Sequence, residues 1–293
     1  MKRTLILSSI VVVAVVAVAG RSLLAQQQPD GPKVAAIEKV KDNLYMVTGG
    51  GGNTAVFVTG NGVVLVDTKL ADWGQAIMDQ VKTVTDKPVT HIINTHTHGD
   101  HTGSNDFFPA SVEIVAHANV KTSMAKMPQF ADASKAHALP DKTYTDKMTV
   151  LGGNEAIDLY HFGAAHTNGD TFVVFRNLKV MHSGDAFATK GTPFIDRANG
   201  GNGVTYPETL AKAAAGIKDV ETVIPGHSAV TTWAAFVEYG AFNKAFLDYS
   251  QAAKKAGKTV DQAFAELKLP DTFKDYAVAR AKGNIEAIYA DLP

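Results

Sequence analysis

The stretch Thr-His-Thr-His-Gly-Asp-His-Thr-Gly, residues 95–103, contains the pattern H-x-H-x-D-H. In an extended chain, residues two apart point the same way, so His96 and His98 can offer their imidazoles to one ion. A turn at the following glycine can direct Asp100 and His101 toward a second ion. Neutral imidazole and carboxylate are ligands that suit zinc in proteins. The stretch therefore predicts a metal centre.

The composition restricts what else the chain can be. It has 293 residues, with 28 Lys and Arg against 29 Asp and Glu and a net charge of -1. Without a basic excess to hold a polyanion, nucleic acid is not an expected partner. The chain has no Cys, which excludes disulfides, thiolate ligands and cysteine nucleophiles. Any metal must therefore be held by His, Asp or Glu.

Residues 1–25 have the layout of a signal peptide, with two basic residues ahead of an apolar run over 5–19. The run is shorter than the ~20 apolar residues that a membrane-spanning helix needs. Cleavage is expected after Ala19 or Ala25. We therefore expect a periplasmic or secreted protein with no stable membrane insertion after cleavage. An uncleaved anchor is the alternative, because Arg21 follows the run.

The rest of the chain, residues 29–293, is expected to form one domain. Short β-branched runs separated by glycine clusters predict an N-terminal meander with a hairpin turn at Gly60-Asn61-Gly62. A strand over 88–94 leads into the histidine stretch. Two β-rich halves covered by helices are expected, and residues 232–293 form a helical tail. The spacing predicts helices over 73–85, 232–256, 260–267 and about 276–289.

Three further segments place a ligand-type residue in a glycine-containing turn after a strand-like run. They are Gly-Ala-Ala-His-Thr-Asn-Gly-Asp at 163–170, Ser-Gly-Asp at 183–185 and Ile-Pro-Gly-His at 224–227. Together with Asp67 at a strand end, the order Asp, H-x-H-x-D-H, His, Asp, His resembles that of the metallo-β-lactamase superfamily. The resemblance covers residues 34–227. It implies a mixed α/β fold, an αββα sandwich with the metals at the sheet edge, followed by the helical tail.

Carried over position by position, the resemblance implies two zinc ions per chain. The implied ligands of the first ion are His96, His98 and His166. Those of the second ion are Asp100, His101 and His227, and Asp185 is the implied bridge between the two ions. The resemblance also gives Asp67 the role of bracing the metal-binding loop, which suits a carboxylate that orients a ligand histidine. The alternative for Asp67 is to cap the turn before the helix that starts near Trp73.

The resemblance implies a hydrolase in which a metal-bridging hydroxide attacks an acyl substrate. Asp100 is the expected catalytic residue because it would hold that hydroxide. Ester, lactone, thioester and β-lactam bonds all remain open. The residue at the position of Asp185 is typically Cys or Ser in β-lactamases proper, whereas Asp resembles glyoxalase II-like thioesterases and lactonases. A second departure, Gly103-Ser104 where the family commonly has Gly-Gly, affects only loop packing.

Several alternatives stay open. An iron-dependent oxygenase or oxidoreductase on the same fold would use a single redox metal. A nuclease of the superfamily is disfavoured by the net acidity. The helical tail can cover the site or form the contact of a homodimer. The remaining histidines are not expected to bind metal: His91, His117, His137, His161 and His182.

Overall fold

The structure is a computed structural model that describes residues 33–292. The predicted signal peptide and both cleavage sites lie outside the described residues. The proposed start of the domain, residue 29, also precedes them, so that boundary stays a prediction. Within 33–292, none of the helices combines the length and the apolar character that crossing a bilayer would require.

The first sheet has seven strands that lie side by side in sequence order. They are β1 Ala36–Lys41, β2 Leu44–Thr48, β3 Thr54–Val58, β4 Val63–Val66, β5 Val89–Asn94, β6 Glu113–His117 and β7 Lys142–Tyr144. Strands β1 to β4 pair antiparallel, which is the expected meander, and β4 to β7 pair parallel. The β3–β4 turn is closed by Thr59 N donating to the carbonyl of Gly62 at 2.8 Å.

The second sheet has six strands, in the order β13-β12-β11-β10-β9-β8. They are β8 Lys147–Val150, β9 Ile157–Tyr160, β10 Phe172–Phe175, β11 Val180–Gly184, β12 Thr222–Pro225 and β13 Thr231–Thr232. One buried cluster contains residues of both sheets. In it, the rings of Phe57 and Phe175 meet edge to face with centroids 5.2 Å apart. The two sheets therefore share one apolar core.

Helices cover the outer face of each sheet. The α-helices of the described residues are α1 Gly74–Val81, α2 Gly99–Thr102, α3 Ala118–Met124, α4 Tyr206–Gly216, α5 Trp233–Lys255, α6 Val260–Ala265 and α7 Ala281–Asp291. Ile77 of α1 packs in a buried cluster with Leu65 of the first sheet. Leu210 of α4 and Phe236 of α5 pack with Met181 of the second sheet. The layers run helix, sheet, sheet, helix, so the predicted αββα sandwich is confirmed.

The helical tail has its own small core, in which Phe246, Ala263 and Ile285 bring α5, α6 and α7 together. The start of α6 is fixed by a capping box between Thr259, its N-cap, and Gln262.

Two helix boundaries differ from the sequence prediction. The helix expected over 73–85 ends at Val81, and the next turn tightens as Thr83 Oγ1 donates to the carbonyl of Gln80 at 2.7 Å. The last helix was expected from about Tyr276 but begins at Ala281. The backbone of Ala277 is engaged elsewhere: its N–H donates to the carbonyl of Lys190 at 3.2 Å, and its carbonyl accepts from Thr192 N at 2.8 Å.

Candidate metal centre

Four of the singled-out segments follow directly from strand ends. Asp67 follows β4, the histidine stretch follows β5, Asp185 follows β11 and His227 comes just after β12. Strands β4 and β5 are parallel neighbours in one sheet, and β11 and β12 are parallel neighbours in the other. Because parallel strands bring their carboxyl ends to the same edge, these side chains are delivered to one place. His166 reaches it from the segment between β9 and β10.

The first group of three histidines forms a tight cluster. His98 Nδ1 lies 3.2 Å from His96 Nε2 and 2.9 Å from His166 Nε2. Nitrogen ligands at 2.0–2.1 Å from a tetrahedral zinc are about 3.3 Å from one another. His96 and His166 are almost fully buried. The spacing of these nitrogens therefore fits one ion.

The second group faces the first across the site. His227 Nε2 lies 3.2 Å from His101 Nε2 and 3.3 Å from Asp100 Oδ2, while His101 Nε2 and Asp100 Oδ2 are 3.8 Å apart. These three side chains form a second set of converging nitrogen and oxygen donors. The spacing again fits one ion.

Asp185 lies between the two groups. Its Oδ1 is 3.3 Å from His101 Nε2, and its Oδ2 is 3.3 Å from His227 Nε2 and 3.7 Å from His166 Nε2. Oδ1 is buried and has no hydrogen-bond partner among residues 33–292. A buried carboxylate oxygen without a partner is costly unless a cation compensates it. The carboxylate therefore fits the position of a bridge between two metal ions.

The protonation states of the cluster differ from group to group. Burial lowers the pKa of His96 well below 6.5 and that of His166 to about 4, so both are neutral at pH 7, the form that binds metal. Burial also opposes protonation of His227, but Asp185 and Asp100 raise its pKa to about 9. Asp185 and Asp67 likewise raise the pKa of His101 well above 6.5 against the effect of burial. Metal binding to these two histidines must therefore release protons.

Asp67 is fully buried and braces the cluster. Its Oδ1 accepts from Thr95 N at 2.8 Å, and its Oδ2 accepts from Thr95 Oγ1 and from His101 Nδ1, both at 2.7 Å. Thr95 Oγ1 in turn lies 2.9 Å from His96 Nδ1, so Nε2 of both histidines is left for the site. No side-chain cap is formed at the start of α1, whose N-cap is Trp73. The Asp67 carboxylate therefore contacts the metal-binding loop and does not cap α1.

Two hydrogen-bond acceptors of the clustered histidines were not predicted from the sequence. His98 Nε2 donates to Asp196 Oδ2 at 2.7 Å, and His166 Nδ1 donates to the carbonyl of Phe194 at 2.7 Å. Asp196 also caps a short 3-10 turn, accepting from the N–H groups of Ala198 and Asn199. In the sequence, an Asp at such a position predicts only a turn, and a backbone carbonyl leaves no side-chain signature at all.

The glycine cluster at 49–52 separates two strands and also packs against the His101 ring. An added Cβ at Gly52 would lie 2.1 Å from His101 Cε1, so only glycine fits against that ring. Lys69, fully buried, holds this loop: its Nζ donates to the carbonyls of Val47 and Gly52, both at 2.8 Å. Burial lowers the pKa of Lys69 to about 7, against the opposing effect of Asp67. No local sequence pattern indicates that this lysine is buried.

The other five histidines have partners away from the cluster. His182 is buried, with Nε2 3.2 Å from the carbonyl of Asn53. The rings of His117 and His161 stack with centroids 4.0 Å apart. His91 and His137 lie near hydroxyl or carbonyl oxygens. None of the five belongs to a group of three or more converging donors among residues 33–292.

The chain is similar to known proteins in sequence and in fold. Metallo-beta-lactamase IND-1 of Chryseobacterium indologenes is 27% identical over 200 residues, which cover 64% of this chain and 80% of that protein. The crystal structure of DIM-1 metallo-beta-lactamase superposes with a TM-score of 0.60 at 18% identity, covering 72% of this chain and 97% of that one. A double mutant of the sec-alkyl sulfatase PisA1 gives a TM-score of 0.73 at 14% identity, covering 87% of this chain and 50% of that one.

The sequence model of one family matches well over half of the chain. Its description is "Metallo-beta-lactamase superfamily", and it matches residues 47–227, from β2 to the last histidine of the cluster. The matched span contains Asp67 and all seven side chains that converge at the sheet edge. The chain therefore belongs to the metallo-beta-lactamase superfamily of metal-dependent hydrolases, as the order of its Asp and His motifs predicts.

Proposed function

We propose that this chain is an exported hydrolase with two zinc ions that cleaves ester, lactone, thioester or β-lactam bonds. The observation that carries the proposal is the convergence of two sets of three donors around the Asp185 carboxylate, whose Oδ1 has no hydrogen-bond partner among residues 33–292. Family membership supports a metal-dependent hydrolase. Export, zinc as the metal, the number of ions and the bond that is cleaved are all proposals.

The donor set supports zinc as the metal. His96, His98 and His166 would hold one ion, Asp100, His101 and His227 the other, and Asp185 both. All are nitrogen or carboxylate donors, which zinc accepts, and a catalytic zinc keeps one position open for water or substrate. When bound, the two ions supply Lewis-acid polarisation of the scissile carbonyl and ionisation of water near neutral pH.

Asp100 is the proton carrier of the proposed reaction. Burial opposes its ionisation, but the hydrogen bond with His227 and the charges of His101 and His227 together lower the pKa of Asp100 to about 2, so the group is ionised at neutral pH. As the oxygen of the attacking water bonds to the carbonyl carbon, the carboxylate of Asp100 accepts the water proton. When the bond from carbon to the leaving atom breaks, Asp100 returns that proton to the leaving oxygen, sulfur or nitrogen.

The expected preference among substrate classes follows from the groups around the scissile bond. The side chains that converge on the site are all metal-ligand candidates. Because Asp100 is the only one of them that also carries a proton in the proposed reaction, little further assistance is available for a poor leaving group. Oxygen and sulfur leaving groups that are stable as anions suit such a site. We therefore expect aryl esters or lactones to be hydrolysed with higher kcat/KM than cephalosporins or penicillins.

The test is metal analysis together with a substrate panel on one zinc-loaded preparation. The panel contains an aryl ester, a lactone, a thioester, a penicillin and a cephalosporin. We expect about two zinc ions per chain and loss of activity with a chelator. A β-lactam kcat/KM above that of every ester and lactone would overturn the expected preference for esters and lactones. One tightly bound iron, with no gain on adding zinc, would favour the oxygenase alternative.

Export is tested separately, on the native protein. The apolar run over residues 5–19 supports a cleaved signal peptide. The mass of the mature chain should then place its N-terminus at Gly20 or Gln26. Intact Met1 in a membrane fraction would establish the uncleaved anchor instead.

A further inference from the structure

Phe194 lies beside the first group of histidines and is half exposed. Its ring centroid is 5.9 Å from that of His98 and 5.8 Å from that of His166, and 48% of the residue is accessible. Its backbone is fixed because the carbonyl accepts the 2.7 Å hydrogen bond from His166 Nδ1. Phe194 therefore presents a positioned apolar surface next to the metal centre.

The guanidinium of Arg280 covers this ring. Arg280 Cζ lies 5.4 Å from the Phe194 ring centroid, within the range of a cation–π contact. The side chain comes from the helical tail, just before α7. The distance from Arg280 Cζ to the Phe194 centroid and the distance from that centroid to the His166 ring together limit the separation of guanidinium and His166 ring to about 11 Å.

The backbone around Arg280 is anchored to the segment that precedes Phe194. Arg280 N donates to Thr192 Oγ1 at 3.0 Å, and Thr192 N donates to the carbonyl of Ala277 at 2.8 Å. An added Cβ at Gly191 would lie 2.6 Å from the carbonyl oxygen of Ala277, so the two segments are in close contact. These hydrogen bonds with Thr192 hold the backbone of Arg280 at the edge of the site.

Arg280 differs from the nearby cations in its partners. Lys190 is paired with Glu238 at 3.2 Å, and Arg197 with Asp291 at 2.8 Å. Within residues 33–292, no carboxylate lies at ion-pair distance from the Arg280 guanidinium. A guanidinium stacked on an aromatic face keeps its in-plane N–H donors available for a carboxylate.

We propose that Arg280 and Phe194 form a recognition site for substrates that carry a carboxylate at the end remote from the scissile bond. The carboxylate pairs with the Arg280 guanidinium, and a hydrocarbon segment contacts the part of Phe194 that remains accessible. The distance of at most about 11 Å between guanidinium and His166 ring is one that a short acyl chain can span. This inference rests on the proposed hydrolase function and narrows its substrate class.

The first test compares two matched esters on the zinc-loaded enzyme. Mono-4-nitrophenyl adipate carries a free carboxylate, and its methyl ester is neutral. Arg280→Gln should lower kcat/KM for the anionic ester about tenfold, mainly through KM, because one charge-assisted contact is lost. The neutral ester should be hydrolysed at an unchanged rate, and Arg280→Lys should recover part of the loss. Equal effects on both esters, or no effect on either, would overturn the inference.

Lys274→Gln is the matched control, because it removes an exposed cation from the same tail. It should leave both esters unaffected. Higher salt should narrow the difference between wild type and Arg280→Gln for the anionic ester, since an exposed ion pair is screened. A loss in Lys274→Gln equal to that in Arg280→Gln would assign the effect to general charge and contradict a specific contact.

The second test measures binding without turnover. Calorimetric titration of the zinc-loaded protein with adipate and with hexanoate separates the remote carboxylate from the one common to both. Wild type should bind adipate more tightly, and Arg280→Gln should remove that difference. If wild type hydrolyses neither these esters nor any member of the substrate panel but keeps the difference in binding, the hydrolase proposal fails and the recognition site stands. Equal affinities for the two acids in wild type would refute the recognition site alone.

Discussion

His101 Nδ1 donates a 2.7 Å hydrogen bond to Asp67 Oδ2, and both side chains are fully buried. The bond fixes the tautomer of the imidazole and turns Nε2 toward Asp185, 3.3 Å away. The same carboxylate reaches His96 through Thr95. One buried aspartate therefore orients two of the candidate ligands from behind.

Asp67→Asn should weaken metal binding without removing any ligand. An amide has one acceptor oxygen where the carboxylate has two, so it cannot accept the bonds from both Thr95 N and His101 Nδ1 on separate oxygens. We expect zinc affinity at the His101 site to fall about 10- to 100-fold, measured by competition with a chromophoric chelator. Asp196→Asn is the comparison, since it acts on His98 at the other site. Unchanged affinity at both sites in Asp67→Asn would argue against the bracing role.

His227→Ala should take the zinc content from two ions toward one. The side chain of His227 is 31% exposed, so its removal leaves the two-sheet core in place. Turnover of the best ester should fall about 10-fold or more, because even losses beyond the direct ligands have effects of that size. Metal content is measured on protein whose circular dichroism matches wild type. A variant that retains two zinc ions would remove His227 from the site.

Two glycine-to-alanine substitutions should have opposite effects on stability. In Gly52→Ala the new methyl group meets the buried His101 ring at 2.1 Å, so we expect a loss of about 1–3 kcal/mol and weaker binding of the second zinc. Gly283→Ala, in α7, has no atom within 4 Å of its new Cβ and should stabilise by about 0.5–1 kcal/mol. Urea unfolding of both variants checks this. Equal stability of the two would contradict the predicted contact at Gly52.

The pH dependence of stability should show the burial of Lys69. The pKa of a free lysine is 10.5, and burial lowers that of Lys69 to about 7. Between these values the unfolded chain binds a proton that the folded chain has released, so this group makes stability rise with pH from about 7 to 10.5. The slope contributed by one group is at most about 1.4 kcal/mol per pH unit.

Lys69→Met isolates this contribution. The stability difference between metal-free wild type and Lys69→Met should grow in favour of wild type as the pH rises through that window. The exposed Lys82→Met is the control and should show no such trend. A wild-type advantage that is constant from pH 7 to 10 would mean that Lys69 keeps its proton in the folded chain.

The sequence was informative where function needs a particular side chain after a strand. The H-x-H-x-D-H stretch, Asp185 and His227 were recognisable because His and Asp are chemically distinctive and glycine marks the turns that present them. The structure brings all of them to one sheet edge, because β4 and β5 are parallel and β11 and β12 are parallel. That pairing follows from contacts distant in sequence, which local patterns do not encode.

The parts that escaped prediction lie in backbone contacts and buried polar groups. The carbonyl of Phe194 orients His166, and any residue type could supply that carbonyl. Lys69 resembles a surface lysine in sequence, and only the surrounding chain shows that it is buried. The late start of α7 has the same origin. Residues 276–280 have helical spacing, but pairing of Ala277 with the 190–192 segment takes its backbone groups.

The segment from Lys190 to Asp196 is joined to the tail at one end and to the histidines at the other. Thr192 anchors Ala277 and Arg280, while Phe194 and Asp196 hold His166 and His98. We therefore expect docking of the tail and occupancy of the first metal position to be thermodynamically linked. If an ordered segment favours metal binding, metal binding favours docking of the tail by the same free energy. The C-terminal helices would then influence metal affinity from a distance, although none of their side chains is a candidate ligand.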